Sequence, residues 1–306
     1  MAQAGWTALG VRRGVRLGQV AGGPMLATLL MTYRCNNACF MCRTREVSRE
    51  FHERGVEELD TEGLKQLIDG FSELGIPALS LTGGEPLLRS DLPELVIHAR
   101  SKGLLVHLNT NGTLVDEMMA HRLLEAGVDS VNLSLDGATP ETHNRLRHSA
   151  NGFAQVKSAV HNLRKARGKS SGPFVNIVSV VSSENLEEIP AIVALAREWN
   201  ADSIGFIPAQ FFEIPSMRPQ GDRGMTPQRL DDLDRILNAL RDDPIVESSS
   251  AYLDLFRHCL AGNPSPLTCL VGFHAITVDC HANIYPCFPF GLMGGRSPSA
   301  PGENLA

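Results

Sequence analysis

The sequence predicts an α/β protein: a partial (β/α)6 TIM-like barrel followed by a C-terminal extension that carries cysteines. Two observations predict it. Six short, nearly continuous apolar runs recur before residue 209, and segments with helical periodicity lie between them. Strands buried on both faces read as unbroken apolar runs. Right-handed crossovers between successive parallel strands then curl the sheet toward a barrel.

The runs are LATLLMT (26–32), PALSLT (77–82), LLVHLN (104–109), SVNLSL (130–135), FVNIVSVV (174–181) and SIGFIP (203–208). Between them, Leu64, Leu67, Ile68 and Phe71 follow helical spacing behind Asp60, a suitable N-cap. Met118, Met119, Leu123 and Leu124 form a second stripe, expected to be core, and Gly127 is its expected stop. Ile192, Val193 and Ala196 mark a helix before Trp199. Thr226 and Pro227 suit the first positions of a helix that continues through Leu230, Leu233, Leu237 and Leu240. The stretch from residue 243 is rich in Pro, Gly and Cys and reads as irregular. The expected division is an N-terminal arm (1–24), a barrel core (25–209) and a C-terminal extension (210–306).

The net charge is −6, with 43% hydrophobic and 20% charged residues, ordinary for a soluble globular protein. That balance argues against nucleic acid or an anionic membrane as the main partner. The basic run VRRGVR (11–16) reads as a solvated arm. No segment has enough consecutive apolar residues to span a bilayer, and residues 1–24 lack the apolar region of a signal peptide. A cytoplasmic location is expected. Seven cysteines in a reducing compartment point to metal or redox chemistry rather than a disulfide framework.

Three of the seven, Cys35, Cys39 and Cys42, fall in C-x3-C-x2-C just after the first strand, where a barrel places functional residues. Three thiolates hold three corners of a zinc or iron–sulfur centre. Structural zinc needs a fourth ligand, and no second Cys or His pair lies nearby. A [4Fe–4S] cluster held by three thiolates keeps one iron open.

MTYRCNNACFMC (31–42) resembles the signature of the radical SAM superfamily, although Met41 stands where an aromatic residue is common. The resemblance implies that the open iron chelates S-adenosylmethionine, whose reductive cleavage yields a 5′-deoxyadenosyl radical that abstracts hydrogen. It also implies a flavodoxin- or ferredoxin-type electron donor.

Three further segments resemble the family's motifs at successive strand ends. In LTGGEP (81–86), Gly83, Gly84 and Glu85 match the motif that binds the SAM amino group; glycines let backbone approach a ligand closely. In LNTNGTL (108–114), Asn109 and Asn111 would line the site beside the nucleoside; an Asn-Gly turn before a helix is an equally good reading. In VNLSLDGATPETHNRLR (131–147), Ser134 and Asp136 would hydrogen-bond SAM and Arg147 would fork its carboxylate, with Arg145 competing for that role. Asn176 and Ser179 on the fifth strand are expected to face the barrel interior, and residues around Ile207 to pack on adenine.

CLVGFHAITVDCHANIYPC (269–287) resembles the opening of the SPASM or twitch extension, which binds an auxiliary [4Fe–4S] cluster. Cys269 and Cys287 match its first two ligands, Ala282 replaces the turn glycine, and Cys280 is extra. The family's downstream CxxC is missing, because no cysteine follows Cys287. Either the extension is truncated, or Cys259 and Cys280 complete the site. In a further reading, Cys259 or Cys280 donates a hydrogen atom to a substrate radical; in the plainest, one or two of them are buried free thiols.

The expected function is hydrogen abstraction from a small biosynthetic substrate, leading to oxidation or epimerisation. The 25 or so residues before the first strand leave no room for a peptide-recognition domain, which tilts the expectation toward a small molecule. A peptide-modifying maturase is the alternative, and a zinc-stabilised, non-catalytic binding protein is the reading from another class.

Overall fold

A computed structural model describes residues 23–170, 172–209, 225–261, 263 and 274–289. Its centre is an eight-stranded sheet ordered β6-β5-β4-β3-β2-β1-β7-β8. The first six strands, β1 (Leu26–Leu30), β2 (Ala78–Thr82), β3 (Leu105–Thr110), β4 (Ser130–Ser134), β5 (Phe174–Val181) and β6 (Ser203–Pro208), are the six apolar runs. Each pairs in parallel with its neighbour in sequence.

The first helix, α1 (Thr44–Glu53), buries Val47 and Phe51 with Leu30 and Tyr33, while one face of the sheet is covered by α2 (Thr61–Glu73), α3 (Leu92–Ser101), α4 (Glu117–Ala126), α5 (Pro140–Arg147), α6 (Gly152–Arg167) and α7 (Ile189–Glu198). Beneath them Leu79, Leu81, Val106, Leu108, Val131, Leu133, Val175 and Ile177 are wholly buried. Side chains alternate along a strand, so the other face carries Ser80, Asn109, Asn132 and Asn176.

The local signals act as expected at most helix ends. Asp60 accepts from Gly63 N–H at 2.8 Å, and Gly127 closes α4 with φ 86°. Thr226 caps α8 (Pro227–Leu240), whose four periodic leucines are buried. The second stripe is corrected in part: Leu123 is buried and Met119 packs against the core as expected, but Met118 is 66% exposed, and Ala120 and Ala126 complete the buried face of α4. This face packs against the neighbouring helices α3 and α6.

The stretch after residue 243 is more regular than its composition suggests. It forms α9 (Ser250–Leu260), β7 (Ala275–Val278) and β8 (Ile284–Tyr285). Ser249 caps α9 by accepting from Tyr252 N–H, and Leu253, Phe256 and Leu260 are its buried face. β7 joins the central sheet directly, parallel to β1 from Leu26↔Ala275 to Leu29↔Val278, and β8 returns antiparallel. Cys269 lies outside the described residues. No helix among the described residues is long and apolar enough to cross a membrane.

Candidate active site

The cysteine loop leaves the C-terminal end of β1 and runs into α1. Its approach, Thr32–Arg34, is clamped from one side by the GGEP segment: Gly84 N–H donates to Thr32 carbonyl at 2.8 Å and Glu85 N–H to Arg34 carbonyl at 2.9 Å. A Cβ on Gly83 would stand 2.4 Å from the Thr32 carbonyl oxygen, and one on Gly84 2.1 Å from that of Arg34. Any side chain there would collide with backbone. The two glycines therefore provide the close approach that the sequence predicts, but to the loop's own backbone.

Glu85 has no exposed surface. Oε1 accepts from Thr110 Oγ1 at 2.7 Å and Leu87 N–H at 3.1 Å, and Oε2 from Asn111 N–H at 2.8 Å. Burial pushes its pKa up, against the pull of these donors and of Arg147. Both oxygens join the end of β2 to the end of β3. The NTNG turn is tied in as well: Asn111 Nδ2 donates to Asn36 Oδ1, and Asn36 Nδ2 donates to Thr113 Oγ1, both at 2.8 Å. Asn36 was missed by motif reasoning; its only signal is its place between Cys35 and Cys39.

Asp136 is likewise wholly buried. Arg147 Nε donates to its Oδ2 at 2.5 Å, Val180 N–H to its Oδ1 at 2.8 Å, and Asn185 Nδ2 to its backbone carbonyl at 2.9 Å. His143 Nδ1 accepts from Asp136 N–H at 3.2 Å, and burial lowers that imidazole to about 4, so it is neutral at pH 7. Burial works against the charge of Arg147, but Asp136 outweighs it and the guanidinium stays protonated.

Arg147 Nη1 lies 3.9 Å from Cys39 Sγ. Its competitor Arg145 is 56% exposed and pairs with Glu184, which decides between the two: Arg147 is the guanidinium at the cysteine loop. Ser134 is half-buried at the end of β4.

Burial pushes the Cys39 thiol up to about 11 and raises Cys35 as well; Arg147 acts in the opposite direction on both. Asn37 N–H points at Cys35 Sγ and Thr44 N–H at Cys42 Sγ, at 3.4 and 3.5 Å. Among the described residues no three Cys, His, Asp or Glu side chains are already gathered at metal-binding distances. The donor set nevertheless fits an iron–sulfur centre: three thiols on one loop, backbone N–H groups aimed at two sulfurs and a buried cation beside the third. Each favours a thiolate over a thiol.

On the concave face a ladder of polar side chains crosses the sheet. Asn109 donates to Ser80 Oγ at 2.9 Å, Asn132 to Asn109 at 2.9 Å, Asn176 to Asn132 at 3.0 Å, and Ser203 to Asn176 at 2.7 Å. Asn109 thus belongs to this face rather than to the NTNG turn. Asn176 faces inward as expected, but Ser179 does not. Three residues apart on a strand, the two point to opposite sides, and Ser179 Oγ is buried under the helices without a partner among the described residues. Asn132, Asn176, Ile207 and Glu247 line a concave cavity of about 420 Å³.

Two of the late thiols, Cys259 and Cys280, do not converge. Cys259 is exposed on α9, which packs on α8 and β6 at one edge of the sheet. Cys280, beyond β7 at the opposite edge, is wholly buried with Leu30, Tyr33, Val47 and Phe51. Burial pushes its thiol pKa up strongly. The expected Cys259–Cys280 pair is therefore not brought together, because the two sit at opposite ends of the strand order. As a hydrogen donor, Cys280 would have to reach substrate through the apolar cluster that covers it. Cys287 is half-buried beyond β8. Ala282, which stands where the resembled motif has its turn glycine, has φ 63°.

A family model described as the Radical SAM superfamily matches residues 29–196. Fe-coproporphyrin III synthase of Methanosarcina barkeri is 38% identical over 176 residues, covering 58% of this chain and 42% of that protein. PqqA peptide cyclase of Xanthomonas oryzae pv. oryzae is 34% identical over 189 residues, covering 62% and 48%. The chain thus spans about half the length of the curated relatives it matches. Streptococcus suis SuiB, solved bound to its precursor peptide SuiA, superposes with a TM-score of 0.67 at 15% identity over 97% of this chain and 67% of that one. That likeness extends to the fold.

Proposed function

Because the chain belongs to the radical SAM superfamily, whose model matches residues 29–196, we propose that Cys35, Cys39 and Cys42 hold its [4Fe–4S] cluster and that the enzyme acts on a small biosynthetic molecule by oxidation or epimerisation. The family implies both the cluster and S-adenosylmethionine. Bound together, they supply hydrogen-atom abstraction. Arg147 places a fixed positive charge beside Cys39. Glu85, Asn111 and Asn36 keep the ends of β2 and β3 against the loop. Ser134 and the backbone around Gly83 and Gly84 are the assigned SAM contacts, with a flavodoxin- or ferredoxin-type protein as electron donor.

The observation that carries the reading is the convergence of Glu85 after β2, Asp136 after β4 and Arg147 at the end of α5 onto the three-cysteine loop. The concave cavity supports the small substrate: about 420 Å³, lined by Asn132 and Asn176 together with His107, Phe206 and Glu247, lies within the range of small-molecule sites. The similarity to Fe-coproporphyrin III synthase supports it too. A peptide substrate is the second reading, favoured by the similarity to PqqA peptide cyclase. Within this proposal residues 25–209 are the catalytic core, 1–24 an arm and 210–306 a SPASM- or twitch-like extension, with Cys269 and Cys287 as ligands of an auxiliary cluster.

The test is anaerobic reconstitution, with iron and sulfide counted per chain and 5′-deoxyadenosine measured after adding SAM and a reductant. The C35A/C39A/C42A variant is treated in parallel. About four irons lost in the variant, with 5′-deoxyadenosine formed only by the parent, is the expected result. About four irons surviving in the variant would support the auxiliary cluster. Zinc without iron in the parent would overturn the proposal.

A further inference from the structure

The turn between β7 and β8 carries a buried carboxylate that is committed beyond its own turn. Asp279 has no exposed surface. Oδ1 accepts from the backbone N–H groups of His281 and Asn283, both at 2.9 Å, and this closes the turn. Oδ2 accepts from the hydroxyl of Tyr285 at 2.9 Å and from that of Tyr33 at 3.1 Å. Tyr33 lies 246 residues away in sequence and two residues ahead of Cys35.

Tyr33 is itself wholly buried. Its ring stacks on Phe51 at 5.5 Å and on His281 at 5.9 Å, and Phe51 belongs to α1, the helix that leaves the cysteine loop. The turn therefore touches the chain both before and after the three cysteines. On the far side of the same approach stand Gly84 and Glu85, bonded to Thr32 and Arg34. Residues 32–34 are thus gripped between the end of β2 and the β7–β8 turn. A buried tyrosine–carboxylate bond is charge-assisted, and leaving the carboxylate short of a donor carries the full desolvation penalty.

We propose that Asp279, acting through Tyr33, is a positioning residue for the three-cysteine loop: the β7–β8 turn is the brace that fixes where Cys35 enters the site. The proposal rests on the reading of that loop as the cluster-holding one. It gives the C-terminal stretch a role in the first metal centre that is independent of any ligands it contributes to a second.

Y33F removes one hydroxyl and keeps the stacked ring; D279N keeps the shape and removes an acceptor oxygen. Both are made in the full chain and loaded with iron and sulfide anaerobically. The readouts are the rate of iron release to a chelator and the electron paramagnetic resonance spectrum of the reduced protein. L237A on α8, far from the loop, reports what lost global stability does by itself.

Release roughly tenfold faster, the scale set by one hydrogen bond to a charged group, and an altered spectrum are expected in Y33F and D279N, with L237A at the parent's values. If both variants match the parent, or if L237A accelerates release equally, the brace is refuted while the cluster reading stands. Should D279N fail to fold, Y33F decides. A parent that takes up no iron would overturn the cluster reading and the brace with it.

Discussion

Two groups of potentially reactive side chains meet different fates in this fold. At the C-terminal ends of β1–β5, residues from five separate stretches of sequence reach one another: Asn36 bonds Asn111, Asn111 N–H bonds Glu85, Val180 N–H bonds Asp136, and Arg147 links Asp136 to Cys39. In the C-terminal stretch, Cys259 and Cys280 stay apart, the one exposed and the other buried at opposite edges of the sheet. Parallel strands in register deliver their following loops to one rim, so residues just past strand ends converge whatever their distance in sequence. A cysteine in the last turn of a helix or in a hairpin turn has no such mechanism. Placement relative to strand ends is therefore the better guide to shared chemistry than residue type.

The largest expected effect falls on the assembled rim. R147M leaves the buried Asp136 carboxylate without its cation and should cost about 3–5 kcal/mol in denaturant unfolding. The double change D136N/R147M should recover most of that loss. A cost below about 1 kcal/mol for R147M would mean that the pair is not the buried, coupled unit described.

His143 sharpens the contrast through pH. Its pKa is lowered from 6.5 to about 4, so it is neutral in the folded protein over a range where the unfolded chain binds a proton. Stability that is present above pH 6.5 should therefore be lost as pH falls toward 4. H143Q should flatten that part of the profile in thermal melts taken across the window. An equally steep profile in the variant would assign the acid sensitivity to other groups.

Smaller effects belong to the C-terminal stretch. A282G relieves a left-handed alanine and should raise stability by about 1 kcal/mol; a loss would show that the alanine methyl packs against something that outweighs the backbone strain. C259S should lie within about 0.5 kcal/mol of the parent, as an exposed site does, with unchanged iron per chain. Iron lost from C259S would break the comparison, because it would draw Cys259 into a metal site with distant partners.

The six parallel strands were legible from apolar runs alone, with bounds off by no more than two residues at β1. The strand-end motifs were legible as candidates. Gly83 and Gly84 read as glycines needed for a close approach, and the fold shows what their missing side chains make room for: the backbone of Thr32–Arg34. Ser179 read as inward-facing because hydroxyls suit a polar interior; strand parity turned it under the helices. α9 was hidden because the prolines, glycines and cysteines around it dominate the composition, while its own SAYLDLFRHCL has a clear apolar face.

What the sequence by itself determined was the order of the six parallel strands and the helices between them, and the cysteine triplet after β1. These depend on local periodicity and spacing, which a few consecutive residues specify. Only the tertiary structure decided that Arg147 rather than Arg145 faces Cys39, that Glu85 ties two strand ends together, and that β7 docks on β1 to place Asp279 against Tyr33. Those outcomes depend on which segments become neighbours across the sheet. That is settled by the burial of whole strands and helices at once, and no short stretch of residues encodes it.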